Sequence, residues 1–205
     1  MISAKLGHVL DKPLAPIAKL ISVSPNVLSF AGFAVTLAAA LLIPFNTTAG
    51  GLVVLMGGSF DLLDGVVART NGKETKFGAL LDSTLDRYAD AALFLAIIWL
   101  FFKEDNLIGI FFTICSLVGA FLVSYVRARA EGLGFPCNVG LMERPERILL
   151  LAAGCLTGRL FPVILLLFVL SHITVVQRVL YVYRKSVSRV QRGALTVKES
   201  SDRYV

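Results

Sequence analysis

Five aspartates interrupt two long apolar stretches of this chain. Asp61 and Asp64 are three residues apart, Asp82 and Asp86 are four apart, and Asp90 follows one turn later. On a helix, residues three and four apart share a face. A carboxylate inside a membrane costs ~2.5–3.5 kcal/mol on an insertion scale, so four or five amount to roughly 10 kcal/mol or more. Arg69 and Arg87 in the same stretches are too few to neutralise them. A further cation is required, and an all-oxygen set of four carboxylates suits Mg²⁺ or Mn²⁺, with room for two ions. For Asp90, pairing with Arg87 or with another helix is the favoured reading.

Depth supports the pairing. A turn near Asn71–Lys73 separates the two stretches. Counted from it at ~1.5 Å per residue, Asp64 lies level with Asp82, and Asp61 with Asp86. Gly57, Gly58, Gly65, Ala68, Gly78 and Ala79 are small, so they permit close helix approach and leave room for a substrate. Arg69 shares the face of Asp61, Asp64 and Gly65, where its guanidinium can hold a phosphate oxygen. A carboxylate relay in a cation transporter is the alternative, and it predicts no phosphate-gripping arginines.

The elements that must position these groups are membrane helices. The chain has 205 residues, 56% hydrophobic and 17% charged, against roughly 25% charged in a soluble domain. Mean hydropathy is +0.77. A disordered chain is excluded, and the composition argues against a soluble globular one. The expected fold is an all-α integral membrane protein of six spans, near 27–45, 50–70, 77–102, 107–128, 145–160 and 162–183. Residues 1–22 repeat apolar side chains at three to four and read as an amphipathic helix on the membrane surface. Ser24-Pro25-Asn26 then turns the chain into the bilayer. Residues 23–185 form the membrane domain, and residues 186–205 form a polar tail or amphipathic end.

Net charge is +6, but the basic residues lie scattered between apolar runs, which argues against nucleic acid. Of 20 Lys and Arg, only Lys103 and Arg159 fall at the turns after spans three and five. The positive-inside rule therefore places both termini and the carboxylates on the cytoplasmic side of the cell membrane. Cys115, Cys137 and Cys155 form no CxxC and read as reduced and structural; His8 and His172 are isolated.

Written out, Asp61-x2-Asp64-Gly65-x2-Ala68-Arg69-x8-Gly78-x3-Asp82-x3-Asp86 resembles the signature of the CDP-alcohol phosphotransferase family at every specified position and gap. The resemblance spans about residues 1–185. It implies that an acceptor hydroxyl attacks the β-phosphorus of a CDP-linked lipid and CMP leaves, with Mg²⁺ at the diphosphate. By position, Asp61, Asp64, Asp82 and Asp86 are then metal ligands, and Asp86 is also the general base. Gly65 lets the nucleotide approach, Arg69 contacts the diphosphate, and Thr75 lies where the nucleotide pocket closes. Ser24, Pro25, Asn26 and Val27 resemble the segment bordering the cytidine. A homodimer is a further expectation of the family.

For the acceptor, Arg127, Arg144, Arg147 and Arg178 are available at the cytoplasmic mouth, with Glu131, Glu143 and Glu146 as counter-charges. Several guanidinium forks suggest a phosphorylated acceptor. The set resembles the phosphatidylinositol-phosphate or archaetidylinositol-phosphate synthase branch of the family, whose acceptor is an inositol phosphate. That branch often carries Lys at the position of Arg127. Glycerol 3-phosphate is the alternative acceptor. The lipid is left open between diacylglycerol and archaeol, and the ion between Mg²⁺ and Mn²⁺.

Overall fold

Three side chains start helices by accepting a bond from the first turn. Asn46 accepts from the Ala49 amide at 3.0 Å, Thr75 from Gly78 at 2.9 Å and Asn106 from Gly109 at 2.8 Å. Proline does the same work by geometry at Pro25 and Pro145, where the missing N–H is no loss. In this computed structural model the resulting helices are α1 (Pro25–Leu42), α2 (Thr47–Thr70), α3 (Lys76–Lys103), α4 (Leu107–Gly132), α5 (Arg144–Thr157) and α6 (Leu160–Ser201). The structure describes residues 23–201, together with Pro16 and Ala18, and side chains as far as Ser188. The expected surface helix over 1–22 lies outside the described residues, apart from Pro16 and Ala18, which are helical. Among the described residues there is no strand.

The six helices fall on the six expected spans, but they are not equally fitted to cross a membrane. α1, α2, α4 and Leu160–Ser188 of α6 are long and apolar enough. α3 carries Asp82, Asp86, Arg87 and Asp90 within its first fifteen residues. α5 has 14 residues, about 21 Å against a hydrocarbon core of about 30 Å. It stops at Gly158, whose φ of +66° suits glycine. The polar stretch after residue 185 does not leave the helix: α6 runs on to Ser201, because no proline follows Pro162.

Packing order matters more than chain order. α1 packs on α2 and α3, α2 on α5, α5 on α6, α6 on α4 and α4 on α3, which closes a ring. Glycines permit the tight seams. A Cβ on Gly57 would run into the Thr36 hydroxyl, and one on Gly58 would lie 2.9 Å from Ile148. The apolar core gathers Leu93, Phe94, Ile97, Leu151, Ile164 and Leu167, all buried. Consecutive helices α2 and α3 are not among the closely packed pairs. They flank α1 in the ring, and the gap between them is where the aspartates lie.

Candidate active site

Two cavities between α2 and α3 share Asp82. The smaller, about 180 Å³, is lined by Asp64 and Asp82 together with Pro25, Asn26, Arg69 and Thr75. Gly65 and Gly78 line it too. The second, about 310 Å³, is lined by Asp61, Asp82, Asp86 and Arg144 between apolar walls that include Leu55, Ile148 and Leu149. The four signature carboxylates thus line two neighbouring cavities with Asp82 on the wall of both. The nucleotide-side residues expected from the sequence gather around the smaller one, except Ser24 and Val27, which are exposed and do not line it.

Local structure explains this convergence. Gly78 has no side chain, so the Asn26 amide approaches; a Cβ there would lie 3.1 Å from Asn26 Oδ1 and 2.9 Å from Thr75 Oγ1. Likewise a Cβ on Gly65 would lie 3.1 Å from an Arg69 guanidinium nitrogen. Asp64 is buried, and its Oδ2 accepts a hydrogen bond from Ser29 Oγ at 2.6 Å. Ser29 is a site residue that sequence reading missed. Its one signal is position, one helical turn after Pro25 on the face that meets α2.

A third and larger cavity, about 1140 Å³, adjoins through Asp86. Arg127, Arg144, Arg147 and Arg178 all line it, with Arg87 and Glu143. The four expected arginines therefore do share one space, but their guanidinium groups are already engaged. Arg178 donates from Nε to Val139 O at 2.7 Å, from Nη1 to Val123 O at 2.5 Å and from Nη2 to Glu143 Oε1 at 2.8 Å. Arg127 reaches the same Glu143 oxygen at 3.3 Å and Glu131 at 3.0 Å.

Arg144 and Arg147 turn the other way, toward the aspartates. Arg144 hydrogen-bonds Asp61 and lies 2.7 Å from Asp86. Arg147 and Asp90 are each 1% exposed and pair at 2.5 Å. This is the helix partner expected for Asp90. Arg147 Nε and Nη1 have no hydrogen-bond partner among the described residues.

As they stand, the acids do not form a closed ligand shell. Among the described residues no three His, Cys, Asp or Glu side chains are placed to hold a metal ion. The donor chemistry nevertheless fits a hard divalent cation: the groups are carboxylate oxygens, with the Ser29 hydroxyl beside them. The Arg144 guanidinium, a cation between Asp61 and Asp86, marks where positive charge is needed.

Comparison with known proteins agrees with this geometry. The family model for CDP-alcohol phosphatidyltransferase matches residues 22–183. The chain is 36% identical to an archaetidylinositol phosphate synthase of Methanothermobacter thermautotrophicus, over 86% of this chain and 92% of that protein. It is 35% identical to a phosphatidylinositol phosphate synthase of Mycobacteroides abscessus, over 98% and 94% respectively. Two crystal structures of the Mycobacterium tuberculosis phosphatidylinositol phosphate synthase superpose on it at 34% identity. The one with CDP-DAG bound has a TM-score of 0.75 and covers 84% of this chain and 93% of that one. The complex with manganese and citrate has a TM-score of 0.73 and covers 84% and 88%. With its aspartate signature lining a common gap and a family match over most of its length, the chain belongs to the CDP-alcohol phosphatidyltransferase family and is a transferase of that family.

Proposed function

We propose that the chain transfers a phosphatidyl-type group from a CDP-lipid, CDP-diacylglycerol or CDP-archaeol, to a hydroxyl of inositol phosphate, releasing CMP. One observation carries this reading: Asp86 stands on the wall shared by the carboxylate gap and the arginine-lined cavity, so donor and acceptor spaces meet at a single base. Asp61, Asp64, Asp82 and Asp86 would hold the metal, Mg²⁺ or Mn²⁺. Bound there, two divalent ions supply positive charge to the diphosphate oxygens as the bond to CMP breaks.

The chain's own residues do the rest. Asn26, Gly65, Arg69 and Thr75 border the nucleotide, with Ser24, Pro25 and Val27 forming the turn that leads into it. Asp86 takes the proton of the acceptor hydroxyl as its oxygen attacks the β-phosphorus, and the bridging oxygen departs with CMP. Arg127 and Arg178 face the acceptor's phosphate, with Arg144 and Arg147 on the same cavity. Apolar walls beside Asp61 and Asp86 let the lipid tail stay in hydrocarbon.

The same reading has all six helices in the membrane, α3 and α5 shielded by the four more apolar ones. Residues 1–22 then lie on the cytoplasmic surface before the 23–185 membrane domain, with 186–205 beyond it. Both termini and the gap face the cytoplasm across the cell membrane, supported by the distribution of Lys and Arg. A homodimeric assembly belongs to the same reading.

The test is CMP release from purified protein given CDP-lipid, Mg²⁺ and each acceptor separately. Turnover with inositol phosphate well above glycerol 3-phosphate and plain inositol is expected, with loss in EDTA. Preference for glycerol 3-phosphate would move the chain to that acceptor, and preference for plain inositol would remove the role of the arginines.

A further inference from the structure

Two consecutive residues stand in for the two substrates. Glu143 is the N-cap of α5 and Arg144 its first residue. The Glu143 carboxylate accepts from Arg178 at 2.8 Å and lies 3.3 Å from Arg127, so it occupies the anion position between them. The Arg144 guanidinium lies between Asp61 and Asp86, so it occupies a cation position. Each charge is thus compensated by a group of the chain itself.

Resting on the function proposed above, we infer that Glu143-Arg144 is a self-neutralising latch that couples metal loading to acceptor binding. A divalent ion entering the carboxylates must displace the Arg144 guanidinium. Arg144 then needs another anion, because a charged group that is mostly buried is strongly disfavoured without a partner. It already lines the cavity that also holds Arg127 and Arg178. A phosphate arriving there displaces Glu143 and offers Arg144 the anion it lacks. Arg178 has side-chain exposure of only 2%, so its Nη2 exchanges one anionic acceptor for another and is never left bare.

Side-chain rotation is enough for both exchanges. Glu143 makes no capping hydrogen bond to α5, so the helix does not hold its carboxylate. Adjacent positions on one turn make the two exchanges interdependent. Cation and phosphate therefore bind with positive coupling, and coupling is reciprocal. The consequence for the reaction is that the diphosphate is gripped firmly only when an acceptor phosphate is present, which limits loss of CDP-lipid to water.

The test uses the full chain in nanodiscs with Mn²⁺ alone as the metal probe and sulfate as a tetrahedral anion that binds Mn²⁺ weakly in solution. Mn²⁺ binding is read by electron paramagnetic resonance, with sulfate or chloride at equal ionic strength. In the wild type, sulfate tightens Mn²⁺ binding by about 5-fold or more, the lower range of typical coupling. Arg144→Gln binds Mn²⁺ at least about 10-fold more tightly than wild type in chloride, and its sulfate effect falls below about 2-fold. Glu143→Gln binds sulfate about 10-fold more tightly, which keeps the test open if the arginine variant does not fold. Arg144→Lys retains the competing charge and the coupling.

Mn²⁺ affinity unchanged or weakened in Arg144→Gln, or no sulfate effect in the wild type, overturns the latch while leaving the transferase reading intact. A wild type that binds no Mn²⁺ and releases no CMP overturns the transferase reading itself.

Discussion

Asp90→Ala strands a buried arginine, and the size of the effect follows from the pair's surroundings. Asp90 and Arg147 are each 1% exposed, lie 2.5 Å apart and join α3 to α5. Among the described residues Arg147 Nε and Nη1 have no hydrogen-bond partner, so Asp90 is the acceptor its guanidinium relies on. Breaking a buried pair by removing one partner costs about 3–5 kcal/mol, whereas replacing both with apolar groups of similar volume is often close to neutral. Asp90→Ala therefore lowers stability by about 3 kcal/mol or more, roughly a hundredfold in the folding equilibrium. Asp90→Leu strands Arg147 in the same way, and adding Arg147→Met recovers most of its loss, giving a coupling of about 2 kcal/mol or more in the cycle of Asp90→Leu, Arg147→Met and their double variant. The assay is reversible unfolding by SDS titration in mixed micelles, read by tryptophan fluorescence from Trp99. Asp90 Oδ1 also lies 3.7 Å from Arg144 Nε, so the loss reaches Arg144 as well. A single variant within about 1 kcal/mol of wild type, or a double variant whose loss is the sum of the two singles, would refute the assignment of this pair as a buried strut.

Asp86→Asn keeps the side-chain volume and removes the base, so CMP release falls by about a hundredfold or more while thermal stability stays near wild type, as checked by steady-state assay beside a melting curve. Gly57→Ala forces a methyl group onto the Thr36 hydroxyl at the α1–α2 seam and lowers stability by about 1–3 kcal/mol in the same SDS titration. Arg127→Ala raises KM for a phosphorylated acceptor by about 10-fold and changes KM for the CDP-lipid little, since Arg127 lines the large cavity and not the two beside the nucleotide. Equal changes in both constants would make Arg127 a structural residue.

What the sequence showed of this site was periodic. Spacings of three and four put Asp61 with Asp64 and Asp82 with Asp86, and counting from the turn set their depths. The fifth apolar stretch, near 145–160, is the shortest of the six, as α5 is among the helices. What periodicity does not carry is the order of helices around the ring. The small residues of α2 and α3 suggested close approach with room for a substrate, and in the structure α1 sits against both helices with the gap between them. Ser29 was missed because a lone serine in an apolar helix has no pattern of its own; only tertiary contact shows that it reaches Asp64. The directions of Arg144 and Arg147 were equally hidden. Long side chains at the start of a helix can swing to either of two charged surfaces, and the sequence names both without ranking them. Polar composition after residue 185 left a tail and an amphipathic end both open, and the helix of α6 continues to Ser201.

The central claim is that Asp61, Asp64, Asp82 and Asp86 jointly hold divalent cation against the diphosphate of a CDP-lipid. Crystals grown with Mn²⁺, CDP-lipid and sulfate as the acceptor-site anion, measured at the manganese absorption edge, test it most directly. The account predicts anomalous density among these four carboxylates, with the diphosphate beside it and the Arg144 guanidinium moved off Asp61 and Asp86. Density confined to the Glu131–Glu143 side of the large cavity, or none between α2 and α3, would contradict it.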